Sequence, residues 1–525
     1  MFRTLTLLAL FIISQSPAQV INNTTLSIGT SGNDAGNSII QTTDGGYIVT
    51  GYSSCSVCPA NLYVFKLNSS DNLLWTLKIG GTSDIDIGYS IIQTTDRNFV
   101  VSGYTTLYGG GGIYVIKIDT MGNLLWSETI RGQKGYSIVQ TADKGFAIAG
   151  YTTSCSFCAT NSYIIKLDSE GNGKWSETIG GALSDTAYSI IQTKDGGYII
   201  AGTTASFGAG GNDAYVVKLD SAGNIKWTKT IGGTTNDEAY SIVQTKDGGY
   251  VLAGATSSYG AGGNDMYIIK IDSTGTIKWT RTLGGTGNDI AKSIVQTKDG
   301  GYVIAGNTTS INTTGDVSIV KLDSIGNLKW SNVILGGTAS ANSIIQTTNG
   351  GYALTGLTSF FGSGEDDVLI EILDSTGNTC VPSNNSLGIT SIDSGRIGTG
   401  GSVSSFAPII TIDTSMEDTG GVMISYCSYT GPTNTAVIQH VTNDILELFP
   451  NPALNNITLH YINRSSLFTI VTIFDVMGNS ISSLTLNNTQ SIEDQIISTS
   501  AFTPGMYIVR LSNNTETLYS RFVKE

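Results

Sequence analysis

Aspartates recur at fixed places along this chain of 525 residues, and carboxylates held at one face of a fold can bind a cation. Five of them lie seven residues before a repeated glutamine: Asp34, Asp86, Asp185, Asp237 and Asp289. Four more lie five residues before a repeated lysine or its substitute: Asp213, Asp265, Asp316 and Asp366. Because Ca²⁺ prefers oxygen ligands, Asp34, Asp185, Asp237 and Asp289 are candidate calcium ligands. The alternative, which we favour, is that each aspartate caps its own Gly-rich loop through hydrogen bonds to the backbone.

Charged residues that interrupt the repetition are candidates for ligand binding, since a binding site usually draws on what differs between repeated units. The third copy of the repeat has a shortened connection that carries Arg131 and Lys134. The seventh copy carries Glu365, Asp366 and Asp367, and we interpret Glu371 as the replacement of the repeated lysine. These residues predict a polar recognition area on two copies. The alternative is variation of surface charge without function.

Catalysis finds little support in the sequence. The only histidines, His440 and His460, lie outside the repeats, which excludes a Ser-His or His-metal mechanism there. Glycoside hydrolysis by two carboxylates stays open, although no two aspartates are distinguished from the rest. No cofactor is expected, and calcium is the one candidate.

Six cysteines are present in a chain that begins like an exported protein, so disulfides are expected. Cys55 and Cys58 form one CxxC pair, Cys155 and Cys158 form a second in the equivalent loop, and Cys380 and Cys427 flank a connecting segment. One local disulfide in each loop is favoured over a shared zinc ion, because a whole repeat separates the two pairs. The last two cysteines are expected to pair with each other.

Seven copies of the phrase Ser-Ile-Ile/Val-Gln-Thr organise the chain. Their glutamines stand at positions 41, 93, 140, 192, 244, 296 and 346. Each copy reads as four short strands, a to d, separated by turns such as Asp-Gly-Gly, and such a radial repeat is typical of a propeller blade. Residues 24–28 align with a d-strand, and the seventh copy lacks its own. The sequence therefore predicts an all-β fold, a seven-bladed β-propeller over residues 19–381 closed by an N-terminal strand.

One tryptophan per blade follows the c–d turn, as Trp227 follows Gly223. This pattern resembles the tryptophan-docking motif of quinoprotein-type propellers, which implies that each indole packs on the neighbouring blade. The a–b and c–d turns are short and uniform, whereas the d–a and b–c loops on the opposite face are longer and irregular. We therefore expect the binding surface on the face of the d–a and b–c loops.

The ends of the chain indicate export. A basic residue, a short apolar run and small residues at 16–18 predict a signal peptide over residues 1–18. The net charge of −14 argues against nucleic acid as a partner, and no later stretch is apolar enough to cross a membrane. Residues 382–445, rich in Ser, Gly and Thr, are predicted to be a partly ordered linker with some strand-like runs.

The C-terminal 80 residues carry an ordered series of motifs: Leu-Phe-Pro-Asn-Pro at 448–452, a strand ending in Met-Gly at 477–478, Pro-Gly-Met-Tyr at 504–507 and Arg-Phe-Val-Lys at 521–524. The series resembles the type A C-terminal sorting domain of the type IX (Por) secretion system of Bacteroidota. The resemblance implies recognition by the secretion machinery through Pro450, Asn451, Pro452, Gly478, Gly505 and Tyr507. The alternation in each segment independently predicts an immunoglobulin-like β-sandwich over 446–525.

Taken together, these features predict a secreted or cell-surface propeller that binds a glycan or a protein without enzymatic activity. The first alternative is a secreted glycan-active hydrolase or lyase that uses carboxylates of the loop face. The second is a scaffold whose only partner is the secretion machinery. Propellers serve many unrelated functions, so the fold does not decide between them.

Overall fold

All regular structure in the described part of the chain is β-strand. The computed structural model describes the following residues: 22–30, 32–55, 58–81, 83–106, 111–153, 159–311, 314–334, 338–360, 365–379, 389–391, 396–398, 402–406, 410–412, 417–418, 422–430, 445–449, 455–462, 470–475, 480–485, 492–512 and 517–524. The predicted signal peptide lies outside them. The chain divides into two compact units, residues 1–432 and 433–525. The described residues contain no helix long and apolar enough to cross a membrane.

The first unit holds seven antiparallel four-stranded blades, as predicted. The N-terminal strand is β1 (Asn22–Gly29). Blade 1 consists of β2 (Asp34–Gln41), β3 (Tyr47–Cys55), β4 (Cys58–Leu67) and β5 (Leu73–Ile79), and blade 2 consists of β6 (Asp86–Gln93), β7 (Phe99–Thr105), β8 (Gly112–Ile118) and β9 (Leu124–Arg131). Blade 3 consists of β10 (Lys134–Gln140), β11 (Phe146–Thr153), β12 (Thr160–Leu167) and β13 (Gly173–Gly180), and blade 4 consists of β14 (Asp185–Gln192), β15 (Tyr198–Thr204), β16 (Asp213–Leu219) and β17 (Ile225–Gly232). Blade 5 consists of β18 (Asp237–Gln244), β19 (Tyr250–Thr256), β20 (Asp265–Ile271) and β21 (Ile277–Leu283), and blade 6 consists of β22 (Asp289–Gln296), β23 (Tyr302–Thr308), β24 (Asp316–Leu322) and β25 (Leu328–Ile334). Blade 7 consists of β26 (Ala339–Gln346), β27 (Tyr352–Thr358) and β28 (Asp367–Leu373), with β1 as its fourth strand.

The b- and c-strands lie in the middle of their blades and are apolar on both faces, because each blade packs between two others. In β16, all seven side chains are buried. The a-strands lie beside one another around the ring, and β26 lies beside β2, so the seven a-strands form a closed inner circle.

The repeated motif is explained by contacts between blades. The side-chain oxygen of each motif glutamine accepts a hydrogen bond from the a–b turn of the preceding blade, and Gln41 closes the circle with Thr348 at 2.7 Å. Each motif serine accepts a hydrogen bond from the next a-strand in the same way. These two closed rings confirm the propeller and show why the motif recurs.

The tryptophans also join neighbouring blades, as the resemblance implied. A Cβ atom placed on Gly122 would lie 3.1 Å from the indole of Trp75 in the preceding blade, and Gly171, Gly223, Gly275, Gly326 and Gly377 are packed likewise on the next five indoles. The glycine therefore allows the indole to lie flat on the turn.

The ring closes where β1 pairs with β28 and supplies the d-strand of blade 7, as predicted. At this junction Thr24 takes the tryptophan position and Asp71 the glycine position. The indole–glycine contact is replaced by a hydrogen bond of 3.2 Å from Thr24 Oγ1 to Asp71 Oδ2. Next to it, Thr25 Oγ1 donates to Glu371 Oε2 at 2.9 Å.

Residues 389–430, within the predicted linker, add strands to the outer edges of the blades. They are β29 (Ile389–Ser391) on blade 5, β30 (Arg396–Gly398) on blade 4, β31 (Ser402–Phe406) on blade 3, β32 (Ile410–Ile412) on blade 2, β33 (Glu417–Asp418) on blade 1 and β34 (Val422–Thr430) on β1. The segment thus runs around the propeller against the order of the blades. Covering d-strand edges in this way removes pairing sites for other chains. In the described residues, blade 6 has four strands only.

The second unit contains two antiparallel sheets. Their strands are β35 (Ile445–Phe449), β36 (Asn456–Ile462), β37 (Ile470–Asp475), β38 (Ser480–Thr485), β39 (Ile492–Ser498), β40 (Gly505–Ser512) and β41 (Thr517–Lys524). One sheet has the order β35-β36-β39 and the other β38-β37-β40-β41. Alternate residues such as Ile457 and Leu459, or Val471 and Ile473, are buried, which fits the predicted β-sandwich.

Candidate functional site

Each a-strand carries a β-bulge at one position, the residue just before the motif serine. In β14, for example, Ala187 pairs with Gly202 and Ser189 with Ala201, so Tyr188 has no partner in the ladder. The bulge requires a glycine opposite: a Cβ on Gly202 would lie 1.9 Å from the carbonyl oxygen of Thr186. A bulge re-aims the side chain of the unpaired residue. The bulged residues, one per blade, form what we call the axial ring: Asn37, Tyr89, Tyr136, Tyr188, Tyr240, Lys292 and Asn342.

Side chains of the axial ring contact one another around the inner circle. The ring centroids of Tyr89 and Tyr136 are 4.9 Å apart, and the next two tyrosine pairs are each 5.2 Å apart. Lys292 Nζ lies 4.5 Å from the ring centroid of Tyr240. Asn342 and Asn37 bond instead to the backbone of the following blade, at 3.0 and 2.8 Å. Blades 2 to 5 therefore supply an aromatic arc, and blades 6, 7 and 1 a polar one.

A second layer lies toward the d–a and b–c loops. It consists of Lys134 and Glu238, near the start of their a-strands, and of three tyrosines on the facing b-strands: Tyr52, Tyr104 and Tyr151. The axial ring and this second layer together are called the axial mouth.

Lys134 lies among tyrosines. Its Nζ is 5.6 Å from the ring centroid of Tyr89 and 5.7 Å from that of Tyr104, within the range of cation–π attraction. The ring centroids of Tyr136 and Tyr151 are 5.9 Å apart on the same side. Glu238 lies on blade 5, where Tyr240 donates a hydrogen bond to it and Asn212 Nδ2 donates a second at 3.4 Å.

Burial governs the protonation of the axial mouth. It raises the pKa of Tyr89, Tyr136 and Tyr188 far above the ordinary value, so these side chains stay neutral and keep a hydroxyl donor. Burial also lowers the pKa of Lys134 and of Lys292, and the charge of Glu238 opposes the effect at Lys292. The mouth thus combines aromatic faces, hydroxyl groups and two partly desolvated amines.

The predicted recognition residues do not lie together. Arg131 is exposed at the end of β9, the d-strand of blade 2, and Lys134 belongs to the axial mouth. Blades 3 and 7 are not neighbours in the ring, and Glu365 on blade 7 accepts a hydrogen bond from Asn33 Nδ2 at 2.9 Å. Asp366 is half-buried with a pKa raised by burial and by Glu365, and Asp367 is buried.

The register corrects one prediction about blade 7. Opposite β27, Ile372 occupies the position of Lys218 in blade 4, and Glu371 that of the core residue Val217. Glu371 therefore does not replace the repeated lysine, and Asp367 rather than Asp366 matches Asp213. The error arose from counting back from an acidic residue in a copy that has no lysine.

The predicted calcium ligands are buried and bonded to nearby loops. An Oδ2 atom of each accepts a backbone hydrogen bond from the residue four positions earlier: Asp34 from Thr30 (2.5 Å), Asp185 from Gly181 (2.8 Å), Asp237 from Gly233 (2.7 Å) and Asp289 from Gly285 (2.8 Å). Within the described residues, no group of three or more His, Cys, Asp or Glu side chains could hold a metal ion. The geometry is that of loop caps; calcium binding stays a prediction.

The disulfide between Cys55 and Cys58 is formed, as predicted, with an S–S distance of 2.06 Å. Cys155, Cys158 and Cys380 lie outside the described residues, and for Cys427 only the backbone, in β34, is described. The two other predicted disulfides therefore stay predictions.

A shallow cavity of about 680 Å³ lies on the opposite face, at the a–b and c–d turns of blades 2 to 4. Its wall includes Gln140, Gln192 and the ion pair of Lys117 with Asp96. These are repeated residues that join blades or brace turns, so the cavity follows from the scaffold.

Sequence reasoning missed the axial ring, because its residues stand inside the most repeated phrase of the chain. A signal was present nonetheless. The residue before Ser-Ile-Ile/Val-Gln-Thr reads Asn, Tyr, Tyr, Tyr, Tyr, Lys and Asn in the seven copies, which makes it a variable position within a fixed motif.

Comparisons with curated proteins and with solved structures show limited likeness. Regulatory protein FlaEY of Caulobacter vibrioides is 25% identical over 114 residues, which cover 19% of this chain and 12% of that protein, so the match spans about an eighth of the curated relative. A solved protein of unknown function from Dyadobacter fermentans DSM 18053 is 11% identical, covering 68% of this chain and all of its own, with a TM-score of 0.38. A glucose dehydrogenase is 10% identical, covering 66% and 98%, with a TM-score of 0.33.

The C-terminal match is specific. Residues 447–525 match the family model described as the secretion system C-terminal sorting domain. Of the predicted sorting residues, Pro450, Asn451, Pro452 and Gly478 lie outside the described residues, while Gly505 begins β40. Tyr507 is buried, with its hydroxyl donating to the Thr503 carbonyl oxygen at 2.8 Å and its ring 5.0 Å from that of Phe502. The C-terminal part of the chain is thus a type IX sorting domain, which implies export to the cell surface or the medium.

Proposed function

We propose that this protein is an exported, non-enzymatic propeller that binds a glycan in its axial mouth. The observation that carries the proposal is the aromatic arc of Tyr89, Tyr136, Tyr188 and Tyr240. These four residues lie on the inner circle of a-strands, and the tyrosines of the second layer lie next to them, as Tyr151 does to Tyr136. Aromatic faces with a polar edge suit sugars, since they stack on the apolar face of a sugar ring while the hydroxyls bond to its substituents.

The distribution of difference between blades supports the same location. The turns on the opposite face are fixed by the repeated glutamines and by pairs such as Lys218 with Asp195. The axial ring changes from aromatic to cationic to amide around the circle. Such asymmetry in an otherwise regular ring provides a surface that can orient a ligand.

Binding is favoured over hydrolysis. Glycosidases that use two carboxylates need them a few ångströms apart on either side of the scissile bond. Among the residues that make up the axial mouth, Glu238 is the only acid, and it is engaged by Tyr240 and Asn212.

The test is a glycan array probed with the chain that lacks the predicted signal peptide, residues 19–525, followed by calorimetry on each hit. Replacing Tyr136 or Tyr188 by alanine should weaken binding about 30-fold, the effect of removing a contact worth about 2 kcal/mol. The matched control is Tyr136→Phe, which keeps the ring. Binding that is unchanged in both alanine variants would refute the location, and turnover of the bound glycan would refute the non-enzymatic assignment.

A further inference from the structure

We propose that the glycan is acidic and that Lys134 holds its carboxylate or sulfate group. The inference rests on the proposed function and names the class of ligand for the same site. It starts from the one lysine of the axial mouth that lies between tyrosine rings of a neighbouring blade, those of Tyr89 and Tyr104.

Lys134 differs from the structural lysines of this chain. Six c-strand lysines are largely buried, and each forms an ion pair of its own with the aspartate of an a–b turn: Lys66, Lys117, Lys166, Lys218, Lys270 and Lys321. In blade 7 neither member of the ion pair is present: Ile372 stands at the lysine position and Asn349 at the aspartate position. In blades 1 to 6 the fold therefore supplies a carboxylate to each largely buried c-strand lysine.

No such partner is supplied to Lys134. In the described part of the chain, neither Lys134 nor Lys292 takes part in an ion pair. Lys292 is in the blade next to Glu238 and is affected by its charge, whereas Lys134 lies two blades away from Glu238, in blade 3. A partly desolvated amine without a carboxylate is costly in a folded protein. A bound anion would supply Lys134 with the charge partner that the chain does not provide.

The position is also peculiar to blade 3. The equivalent residues of the other blades, two before the bulge, are Ala35, Ile87, Thr186, Glu238, Ile290 and Ser340. One cation and one acid thus occupy this layer, on blades 3 and 5. An acidic sugar placed with its charged group at blade 3 and its ring on the tyrosines meets attraction at Lys134 and avoids Glu238.

The net charge of −14 limits how an acidic ligand can bind to this chain. Long-range repulsion from the chain disfavours polyanions that bind only by charge. Selective binding of an acidic glycan therefore has to come from a local site, where a cation and stacking surfaces act together.

The experiment compares ligands that differ only in charge. Oligogalacturonate is measured beside its methyl ester, and a sulfated carrageenan oligosaccharide beside the same oligosaccharide after removal of its sulfate groups, with residues 19–525 and by calorimetry. The first pair reports a carboxylate and the second a sulfate. The variant is Lys134→Gln, and the control is Lys194→Gln, which removes an exposed lysine from a turn of the opposite face. Melting temperatures no lower than that of the unsubstituted protein establish that both variants fold.

We expect the charged member of at least one pair to bind about tenfold or more tightly than its neutral partner, and Lys134→Gln to abolish that preference while Lys194→Gln keeps it, as a charge-assisted hydrogen bond requires. Neutral sugars that bind equally well, with no effect of Lys134→Gln, would overturn the acidic ligand and leave the proposed function standing. Absence of binding to every glycan would overturn both.

Discussion

The closing strand of the propeller should respond to pH through Glu371. This carboxyl group is fully buried at a position that holds Phe, Ile or Val in the other blades, for example Val217 in blade 4. Its Oε2 atom accepts a hydrogen bond from Thr25 of β1. Burial raises the pKa of Glu371 to about 8, so the side chain is neutral in the folded protein at neutral pH.

The sign of the effect follows from proton linkage. Between the ordinary pKa of 4.5 and the folded value of about 8, the folded state holds a proton that the unfolded state has lost. The stabilising contribution is therefore complete below pH 4.5 and is lost as pH rises through the folded pKa. Because one pKa unit is about 1.4 kcal/mol, the loss has an upper bound of about 4 to 5 kcal/mol.

Glu371→Gln removes the titration and keeps a side chain that can accept the hydrogen bond of Thr25. We expect the two proteins to melt at similar temperatures at pH 5, with the variant increasingly more stable from pH 6 to pH 8 and a constant difference above that. Hydrogen exchange should place the opening at β1 and β28. Parallel pH profiles for the two proteins, or an opening elsewhere in the ring, would refute the reasoning.

Three further predictions concern the turns, the loops and the C-terminal domain. Arg97 and Lys144 have positive φ values of 69° and 66°, at the position where Gly196 of blade 4 has 80°. Because a side chain is strained in this conformation, Arg97→Gly should raise the free energy of unfolding by about 1 kcal/mol, measured by denaturant unfolding with Lys194→Gln as the control. A lower free energy of unfolding would contradict the strain argument. If the aspartates only cap loops, neither calcium nor a chelator should change the melting temperature, and a rise with calcium would support the metal hypothesis instead. Asp237→Ala should lower the free energy of unfolding by about 1 to 3 kcal/mol, because the Gly233 amide loses its hydrogen-bond acceptor. Removal of residues 446–525 should leave the propeller folded but prevent its export, and normal export of the truncated chain would contradict the sorting assignment.

The repeat architecture could be read from the sequence because its cause is local and periodic. Spacing of the glutamines gave the number of blades, and the missing tryptophan of the seventh copy gave the closing strand. The sorting domain could be predicted from the sequence for a different reason, since its motifs occur in a specific order.

Other features depend on pairing that a linear pattern does not record. The edge strands β29 to β34 are two to nine residues long, and only partners on the d-strands give them a place in the fold. The axial ring depends on a bulge, which shifts the alternation by one residue and re-aims Tyr188 and its equivalents. Glu371 was misplaced for a related reason, since the blade 7 strand lacks the lysine that marks the register.

The most direct test of the binding site is hydroxyl-radical footprinting of residues 19–525 with and without a bound glycan. The account predicts reduced oxidation of Tyr89, Tyr104, Tyr136 and Tyr151, with Tyr198, buried in the core, unchanged. Unaltered oxidation of the four mouth tyrosines, together with protection confined to the loop around Glu365 or to the C-terminal unit, would contradict it.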